Sequence, residues 1–149
     1  MPEPLILNMT LPAELDNLDR FIEAAAALAR RFGFDEAKVL KIELALEEAI
    51  VNIIRHAYAG AKGPVNLTGR AEMDQSLVIE ISDQGQPFNL LALPEPDLTS
   101  DLARRPIGGL GVHFIRRIAD QVRYERKSDR NVLTLVFHRN PLGQDGLSE

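Results

Sequence analysis

A carboxylate, an amide and an imidazole recur at intervals of four residues in the segment LEEAIVNIIRHAY, at positions 46–58. Residues four apart lie one above the other on a helix, so Glu48, Asn52 and His56 are predicted to form one polar stripe. Glu48 could accept a proton from a hydroxyl group or water, and Asn52 could offer its carbonyl oxygen to Mg²⁺. His56 could contact a phosphate oxygen or be an ordinary surface histidine. A solvated polar stripe is the alternative for the whole pattern.

The segment SDQGQPF, at residues 82–88, places a carboxylate at the end of a predicted strand and a glycine two residues later. Asp83 could accept a hydrogen bond from the exocyclic amine of adenine, and Gly85 would let the backbone approach a flat ligand closely. The same two residue types are also the ones expected in a β-turn. On this loop alone, both interpretations stay open.

The segment PIGGLGV, at residues 106–112, ends a long polar connection and opens a predicted helix. Gly109, Leu110 and Gly111 could turn consecutive N–H groups toward a phosphate at the N-terminus of that helix. The segment lacks the Lys-Ser or Lys-Thr pair of the P-loop, and its spacing differs from the dinucleotide-binding fingerprint. A glycine-rich hinge would use the same residues.

The spacing of apolar residues predicts the elements that position these side chains. Helices are predicted at residues 12–33, 34–60 and 111–120, and strands at 4–11, 64–73, 76–83, 121–129 and 131–139. The order of elements predicts an α+β fold, a two-layer sandwich with a mixed, mainly antiparallel sheet covered on one face by helices. Residues 89–107 form a connection too long for a simple loop, and connections of that length are usually functional or disordered.

Composition narrows the class of protein. The 149 residues predict one domain at 1–140, with residues 141–149 as a flexible tail. A formal charge of −5 argues against direct nucleic-acid binding, and the absence of cysteine excludes disulfides and thiolate metal sites. No signal peptide or membrane-spanning segment is predicted, so we expect a cytoplasmic protein with no membrane partner.

Taken together and in this order, the segments EEAIVN...HAY, DQGQPF and GGLGVHFI resemble the N, G1 and G2 boxes of the GHKL ATP-binding superfamily. Within it, the chain is most similar to the small bacterial anti-sigma-factor serine kinases of the RsbW and SpoIIAB type, over nearly its whole length. The resemblance implies a Bergerat-type ATP-binding fold. Superfamily members often begin the last strand with a threonine pair near the adenine, whereas this chain has Asn131 and Val132.

The resemblance also implies ATP and Mg²⁺ as cofactors and a role for each matched residue. Glu48 would be the general base for a serine hydroxyl, and Asn52 would be the Mg²⁺ ligand. Asp83 would read the adenine, with Gly85 shaping its loop. Residues 89–107 would be the lid over the nucleotide.

The remaining matched residues would contact the phosphates. Gly109, Leu110 and Gly111 would line them, and His56 would be a further ATP contact. Arg105, just before the glycines, could neutralise the γ-phosphate when the lid closes, or it could be a solvated charge of the lid.

The function implied is that of an anti-sigma factor that is also a protein serine/threonine kinase. Its partners would be a sigma factor and an anti-anti-sigma protein of the STAS type, and the protein would be a homodimer. The apolar positions Leu18, Phe21, Ile22 and Ala25 could be a dimer face or core. One alternative is an ATP-dependent binding switch without kinase activity. Another is a detached histidine-kinase catalytic domain. Against this alternative, no dimerisation segment with a phosphoacceptor histidine is predicted before the first strand.

Overall fold

The computed structural model describes residues 6–72, 75–92 and 111–139. Within these ranges the strands are β1 (Ile6–Pro12), β2 (Pro64–Ala71), β3 (Ser76–Asp83), β4 (Gln121–Lys127) and β5 (Arg130–His138). The α-helices are α1 (Leu18–Arg31), α2 (Glu36–Asn52) and α3 (Gly111–Ile118). The strands form one sheet in the order β1-β2-β3-β5-β4, and each of these pairings is antiparallel. The predicted α+β fold with a mainly antiparallel sheet is confirmed.

The core lies between the helices and one face of the sheet. On the central strand β3, Leu77, Ile79 and Ile81 are fully buried, and alternate residues of β5 pair with them. The helices add to this core the fully buried side chains of Phe21, Ile42, Leu46, Ile50 and Ile115. The opposite face of the sheet is more polar, as where Asn66 of β2 donates a hydrogen bond to Asn8 of β1. Apolar residues that face the helices and polar residues on the opposite face are expected to alternate along the strands of a sheet that is covered on one face.

The end of α1 at Arg31 and the start of α2 at Glu36 lie within two residues of the predicted bounds. Oδ1 of Asp35 accepts a hydrogen bond from the backbone N–H of Lys38 at 2.8 Å and so caps α2. Gly33, shortly after α1, has a φ of +97°, which glycine adopts without strain. Phe21 and Ala25 of α1 are buried in the core. These two positions therefore belong to the core and not to an exposed dimer face.

The end of α2 differs from the helix predicted over residues 34–60. After Asn52 the chain makes one π-helical turn, Ile53–Ala57, in which the N–H of Tyr58 bonds to the carbonyl five residues earlier at 3.1 Å. A π turn holds more residues than an α turn, so the side chains after it are rotated relative to those before it. The predicted polar stripe of Glu48, Asn52 and His56 therefore does not lie along one regular α-helix.

Of the predicted lid at residues 89–107, the structure describes only the beginning, where Leu90–Ala92 form a short 3₁₀ turn. Residues 93–107 and the predicted tail at 141–149 lie outside the described residues. No described helix is long and apolar enough to cross a membrane.

Candidate functional site

Glu48 and Asn52 share one face of α2, as their spacing predicts. Asn52 is only 4% exposed, and its Nδ2 donates a hydrogen bond to the backbone carbonyl of Glu48 at 2.7 Å. The same nitrogen lies 3.5 Å from Oε2 of Glu48. Because the nitrogen is directed at the helix backbone and the carboxylate, Oδ1 is the atom of this amide that suits a hard cation such as Mg²⁺.

The Glu48 carboxylate is partly buried at the C-terminal part of α2. Burial raises its pKa, the nearby negative charge of Glu47 raises the pKa further, and the positive charge of Arg55 opposes both effects. A carboxylate with a raised pKa is a stronger proton acceptor when it is ionised. Glu48 is the carboxylate that approaches Asn52, whereas Glu47 is exposed.

His56 does not continue this buried row. Its side chain is exposed, and its ring stacks on the ring of Phe88 with centroids 5.0 Å apart. The backbone carbonyl of His56 accepts a hydrogen bond from Nε2 of Gln86 at 2.8 Å. The π turn that contains His56 explains the difference, because the regular four-residue alignment ends with Asn52. His56 lies beside the loop that follows Asp83, and a phosphate contact stays a prediction.

Asp83 ends β3 as a buried carboxylate, 2% exposed. Its Oδ1 accepts hydrogen bonds from the backbone N–H of Gly85 and from Nδ2 of Asn131, each at 2.9 Å. Burial raises the pKa of Asp83, while these two hydrogen bonds and the charge of Arg126 act in the opposite direction. Both bonds end on Oδ1, so Oδ2 is the oxygen that could accept a hydrogen bond from an exocyclic amine.

Asn131 of β5 was not among the predicted site residues, yet its side chain connects the parts of this site. It is 4% exposed, and its Nδ2 donates to Oδ1 of Asp83 and to the carbonyl of Gln86. Its Oδ1 accepts hydrogen bonds from the N–H of Phe88 at 3.1 Å and from the Tyr124 hydroxyl at 2.5 Å. One amide thus holds Asp83 and, through Gln86 and Phe88, the later part of the loop that follows it.

Gly85 lies where that loop meets the end of the π turn Ile53–Ala57, which we call the α2 extension. A Cβ atom at this position would lie 2.4 Å from the carbonyl oxygen of Ala57, too close for any side chain. The approach lets the N–H of Gln86 bond to the same oxygen at 2.9 Å. The carbonyl of Gly85 also accepts a hydrogen bond from Nη1 of Arg126 at 2.9 Å. Residue 85 must therefore be glycine for the loop to rest on the helix end.

Tyr58 forms a second connection, which was not predicted from the sequence. Its buried hydroxyl donates to the carbonyl of Pro64 at 2.5 Å and accepts a hydrogen bond from the N–H of Gln84 at 2.8 Å. The end of the α2 extension, the start of β2 and the loop after Asp83 are therefore joined at one hydroxyl group. The tyrosine of the segment HAY is the sequence signal that could have indicated this connection.

A small, mostly apolar cavity adjoins Asp83. Its lining comprises Ile53, Ile81, Asp83, Phe88, Leu90, Tyr124, Asn131 and Leu133. At about 10 Å³ the cavity has room for roughly one water molecule. Apolar walls around one carboxylate have the polarity that a purine base would require. The cavity is too small for a base, so lining side chains would have to move before a base could enter. Phe88 and Leu90 are the lining residues on the segment that leads toward residues 93–107.

The predicted phosphate contacts are described only in part. Gly111 is the first residue of α3, and α3 packs against α2, the helix that carries Glu48 and Asn52. Gly109, Leu110 and Arg105 lie outside the described residues. In the described parts of the chain, no three His, Cys, Asp or Glu side chains are grouped so that they could hold a metal ion. Phosphate oxygens and water are the ligands that Mg²⁺ commonly takes beside a single protein oxygen such as Oδ1 of Asn52.

The chain is similar to known proteins over most of its length. Residues 11–137 match the family model described as histidine kinase-like ATPase domain. A protein from Halalkalibacterium halodurans named serine-protein kinase RsbW is 29% identical, and the match covers 98% of this chain and 93% of that protein. A protein of the same name from Bacillus mycoides is 26% identical, with 94% of this chain and 90% of that protein covered.

A solved structure of the RsbU and RsbW domains of a Mycobacterium tuberculosis protein supports the fold. It aligns with 94% of this chain at a TM-score of 0.67 and 18% identity, and this chain spans 34% of that longer chain. The family model covers most of the chain and includes Glu48, Asn52 and Asp83. The chain therefore belongs to the GHKL-type histidine kinase-like ATPase domain family.

Proposed function

We propose that this protein is an ATP-dependent protein serine/threonine kinase and an anti-sigma factor. It would silence a sigma factor and phosphorylate an anti-anti-sigma partner of the STAS type, so that the partner could no longer release the sigma factor. The observation that carries the kinase proposal is the pairing of a partly buried Glu48 carboxylate with the buried Asn52 amide at 3.5 Å. The similarity to proteins named serine-protein kinase RsbW supports it.

In this proposal each residue of the site has one task. Asn52 binds Mg²⁺ through Oδ1, and the ion supplies positive charge that neutralises the phosphates of ATP. Asp83 accepts a hydrogen bond from the adenine amine through Oδ2. The π-helical turn and the Gly85 loop lie between these two residues and hold the ends of the site together.

Glu48 accepts the proton of the substrate hydroxyl during transfer. The hydroxyl oxygen forms a bond to the γ-phosphorus, the bond from that phosphorus to the β–γ bridging oxygen breaks, and ADP leaves. The raised pKa of Glu48 suits this task because proton acceptance is then more favourable once the carboxylate is ionised. Phosphoryl transfer depends mainly on positioning and on charge stabilisation, so one base, one cation and one phosphate cradle are sufficient parts.

The partners and the assembly are parts of the same proposal. The sigma factor and the anti-anti-sigma protein are protein partners, and the kinase would act as a homodimer in the cytoplasm. Transfer to a protein hydroxyl distinguishes this proposal from a switch that binds ATP only to control a protein interface.

The experiment that tests the proposal is calorimetric titration of Mg²⁺-ATP, combined with phosphate transfer from labelled ATP to a purified STAS-type protein. We expect Asp83→Asn to lose ATP binding, and Glu48→Gln to keep ATP binding while transfer falls about 100-fold or more. Glu47→Gln, one residue away, should retain transfer at pH 8. Equal transfer by the wild type and Glu48→Gln would refute the role of Glu48. ATP binding without any transfer by the wild type would favour the binding switch.

A further inference from the structure

The row of α2 that contains Glu48 and Asn52 extends toward the start of the helix as exposed apolar surface. Leu40 and Leu44 precede Glu48 by eight and four residues, so they lie on consecutive turns of the same row. Leu40 is 55% exposed and Leu44 is 41% exposed. Val51, seven residues after Leu44, is partly exposed on the same side. We call Leu40, Leu44 and Val51 the leucine stripe.

Burial in this chain does not explain the leucine stripe. The core-facing side of α2 is filled by fully buried residues, including Ile42, Leu46 and Ile50. Isolated exposed apolar residues are normal, but a row of them on one helix is a common sign of a contact surface. Among the large apolar side chains exposed in the described ranges, only Leu40 and Leu44 share a helix.

The polar residues around the leucine stripe resemble the border of a protein interface. Lys41 and Glu47 are exposed and Glu43 is partly exposed, so both signs of charge flank the apolar centre. Protein–protein interfaces commonly have an apolar centre with a polar border. A border with both signs of charge is suited to a partner protein whose surface also carries both signs. It does not favour a strongly anionic ligand.

The position of the leucine stripe relative to Glu48 indicates what covers it. At 1.5 Å per residue, Leu44 lies about 6 Å and Leu40 about 12 Å along the helix axis from Glu48. An ordinary interface buries about 800 Å² on each partner, equal to a disc roughly 16 Å in radius. A protein that places a hydroxyl group at Glu48, with an interface centred there, would therefore also cover both leucines.

We propose that the leucine stripe is the docking surface for the protein substrate whose hydroxyl group receives the phosphate. This inference rests on the proposed kinase function, because continuity with the Glu48 carboxylate is what selects this occupant. The substrate protein would bring an apolar patch within about two helical turns of its reacting serine or threonine. The stripe contributes affinity for the substrate protein, while Asn52 and Asp83 hold the nucleotide.

The test uses the full chain with Leu40→Gln and Leu44→Gln combined, since glutamine keeps helix propensity and removes the apolar contact. The matched control is Leu15→Gln, which replaces a 58% exposed leucine outside α2. The substrate is a purified STAS-type anti-anti-sigma protein. We expect its KM to rise by about tenfold or more in the double variant, with kcat and ATP affinity within about twofold of wild type. Leu15→Gln should match the wild type.

The outcomes separate this inference from the kinase proposal. An unchanged KM and kcat in the double variant would refute the docking surface and leave the kinase function in place. If the wild type binds the STAS-type protein without phosphorylating it, and the double variant loses that binding, the kinase function fails. The stripe then still docks this partner protein, which is not a substrate. Reduced self-association of the double variant in sedimentation, with unchanged transfer, would assign the stripe to a second copy and overturn the inference.

Discussion

Nδ2 of Asn131 donates a hydrogen bond to Oδ1 of Asp83 at 2.9 Å, and the two residues are direct partners in the pairing of β5 with β3. The proposed adenine-reading carboxylate is therefore oriented by the neighbouring strand as well as by its own loop. Since Oδ1 is already engaged, Oδ2 is the atom available to a ligand amine. Asn131 is a positioning residue in this arrangement.

Asn131→Ala should weaken both folding and nucleotide binding. The substitution removes partners from Asp83, from the Gln86 carbonyl and from the Phe88 N–H, and unsatisfied buried polar groups cost about 1–3 kcal/mol. We expect a loss of that size in urea unfolding and a weaker Mg²⁺-ATP affinity by calorimetry. Asn66→Ala, in the same sheet but on its more polar face, should leave ATP affinity unchanged. Unchanged ATP affinity in Asn131→Ala would contradict the positioning role.

Nucleotide affinity should fall with decreasing pH because of Asp83. Burial raises the pKa of this carboxyl, and a proton on Oδ2 would turn that oxygen into a donor that faces the amine hydrogen and weakens the contact. Affinity is therefore complete above the raised pKa and is lost as the pH falls through it, by about tenfold per pH unit when one proton must be released. The loss should begin at a higher pH than for an ordinary aspartate. Calorimetry across the acid range measures it.

The control for this pH series is a purine nucleoside triphosphate that lacks the 6-amino group. Its phosphates titrate as those of ATP do, but it has no amine hydrogen to donate to Asp83. We expect a shallower decline of its affinity toward acid pH. Identical slopes for the two nucleotides would show that the phosphates alone cause the effect.

Glu47→Gln should shift the pH dependence of phosphate transfer. The charge of Glu47 is one cause of the raised pKa of Glu48, so its removal lowers that pKa. A base with a lower pKa stays ionised to lower pH, and the acid limb of the kcat profile should move in that direction. Glu43→Gln provides the comparison, because Glu43 is not among the charges that shift Glu48. An acid limb that stays in place in Glu47→Gln would argue against Glu48 as the base.

Gly85→Ala should detach the loop after Asp83 from the end of the α2 extension. The new Cβ would lie 2.4 Å from the carbonyl oxygen of Ala57, a backbone atom that has little freedom to move. We expect a loss of about 1–3 kcal/mol in unfolding free energy, as for overpacked sites, together with weaker ATP binding. Gly69→Ala is the matched variant, since the atom nearest to its Cβ would be the flexible end of the Leu28 side chain, at 2.8 Å. Equal stability losses would contradict the special role of residue 85.

The regular elements could be predicted because their signals are local. The apolar run SLVIEISD predicts β3, which is buried at nearly every position, and Asp35 marks the start of α2 through its cap. Four-residue spacing likewise brings Glu48 and Asn52 together. These features depend on residues within one or two turns of each other.

The π turn and the role of Asn131 could not be predicted in the same way. The run IIRHA is compatible with an ordinary α-helix, and the end of the turn is fixed by the Tyr58 hydroxyl, which binds Pro64 and Gln84. Asn131 stood out only as a departure from a threonine pair. Its four hydrogen bonds depend on the register of β5 against β3 and β4, which no local pattern contains.

The bond between Asp83 and Asn131 joins residues 48 positions apart, and β5 comes after the other four described strands along the chain. During synthesis, Glu48, Asn52 and Asp83 leave the ribosome well before Asn131 does. A partly synthesised chain thus holds Asp83 without the partner that orients it. Since ligands stabilise only the state that binds them, ATP would begin to protect this protein from unfolding and proteolysis only after β5 has emerged and paired.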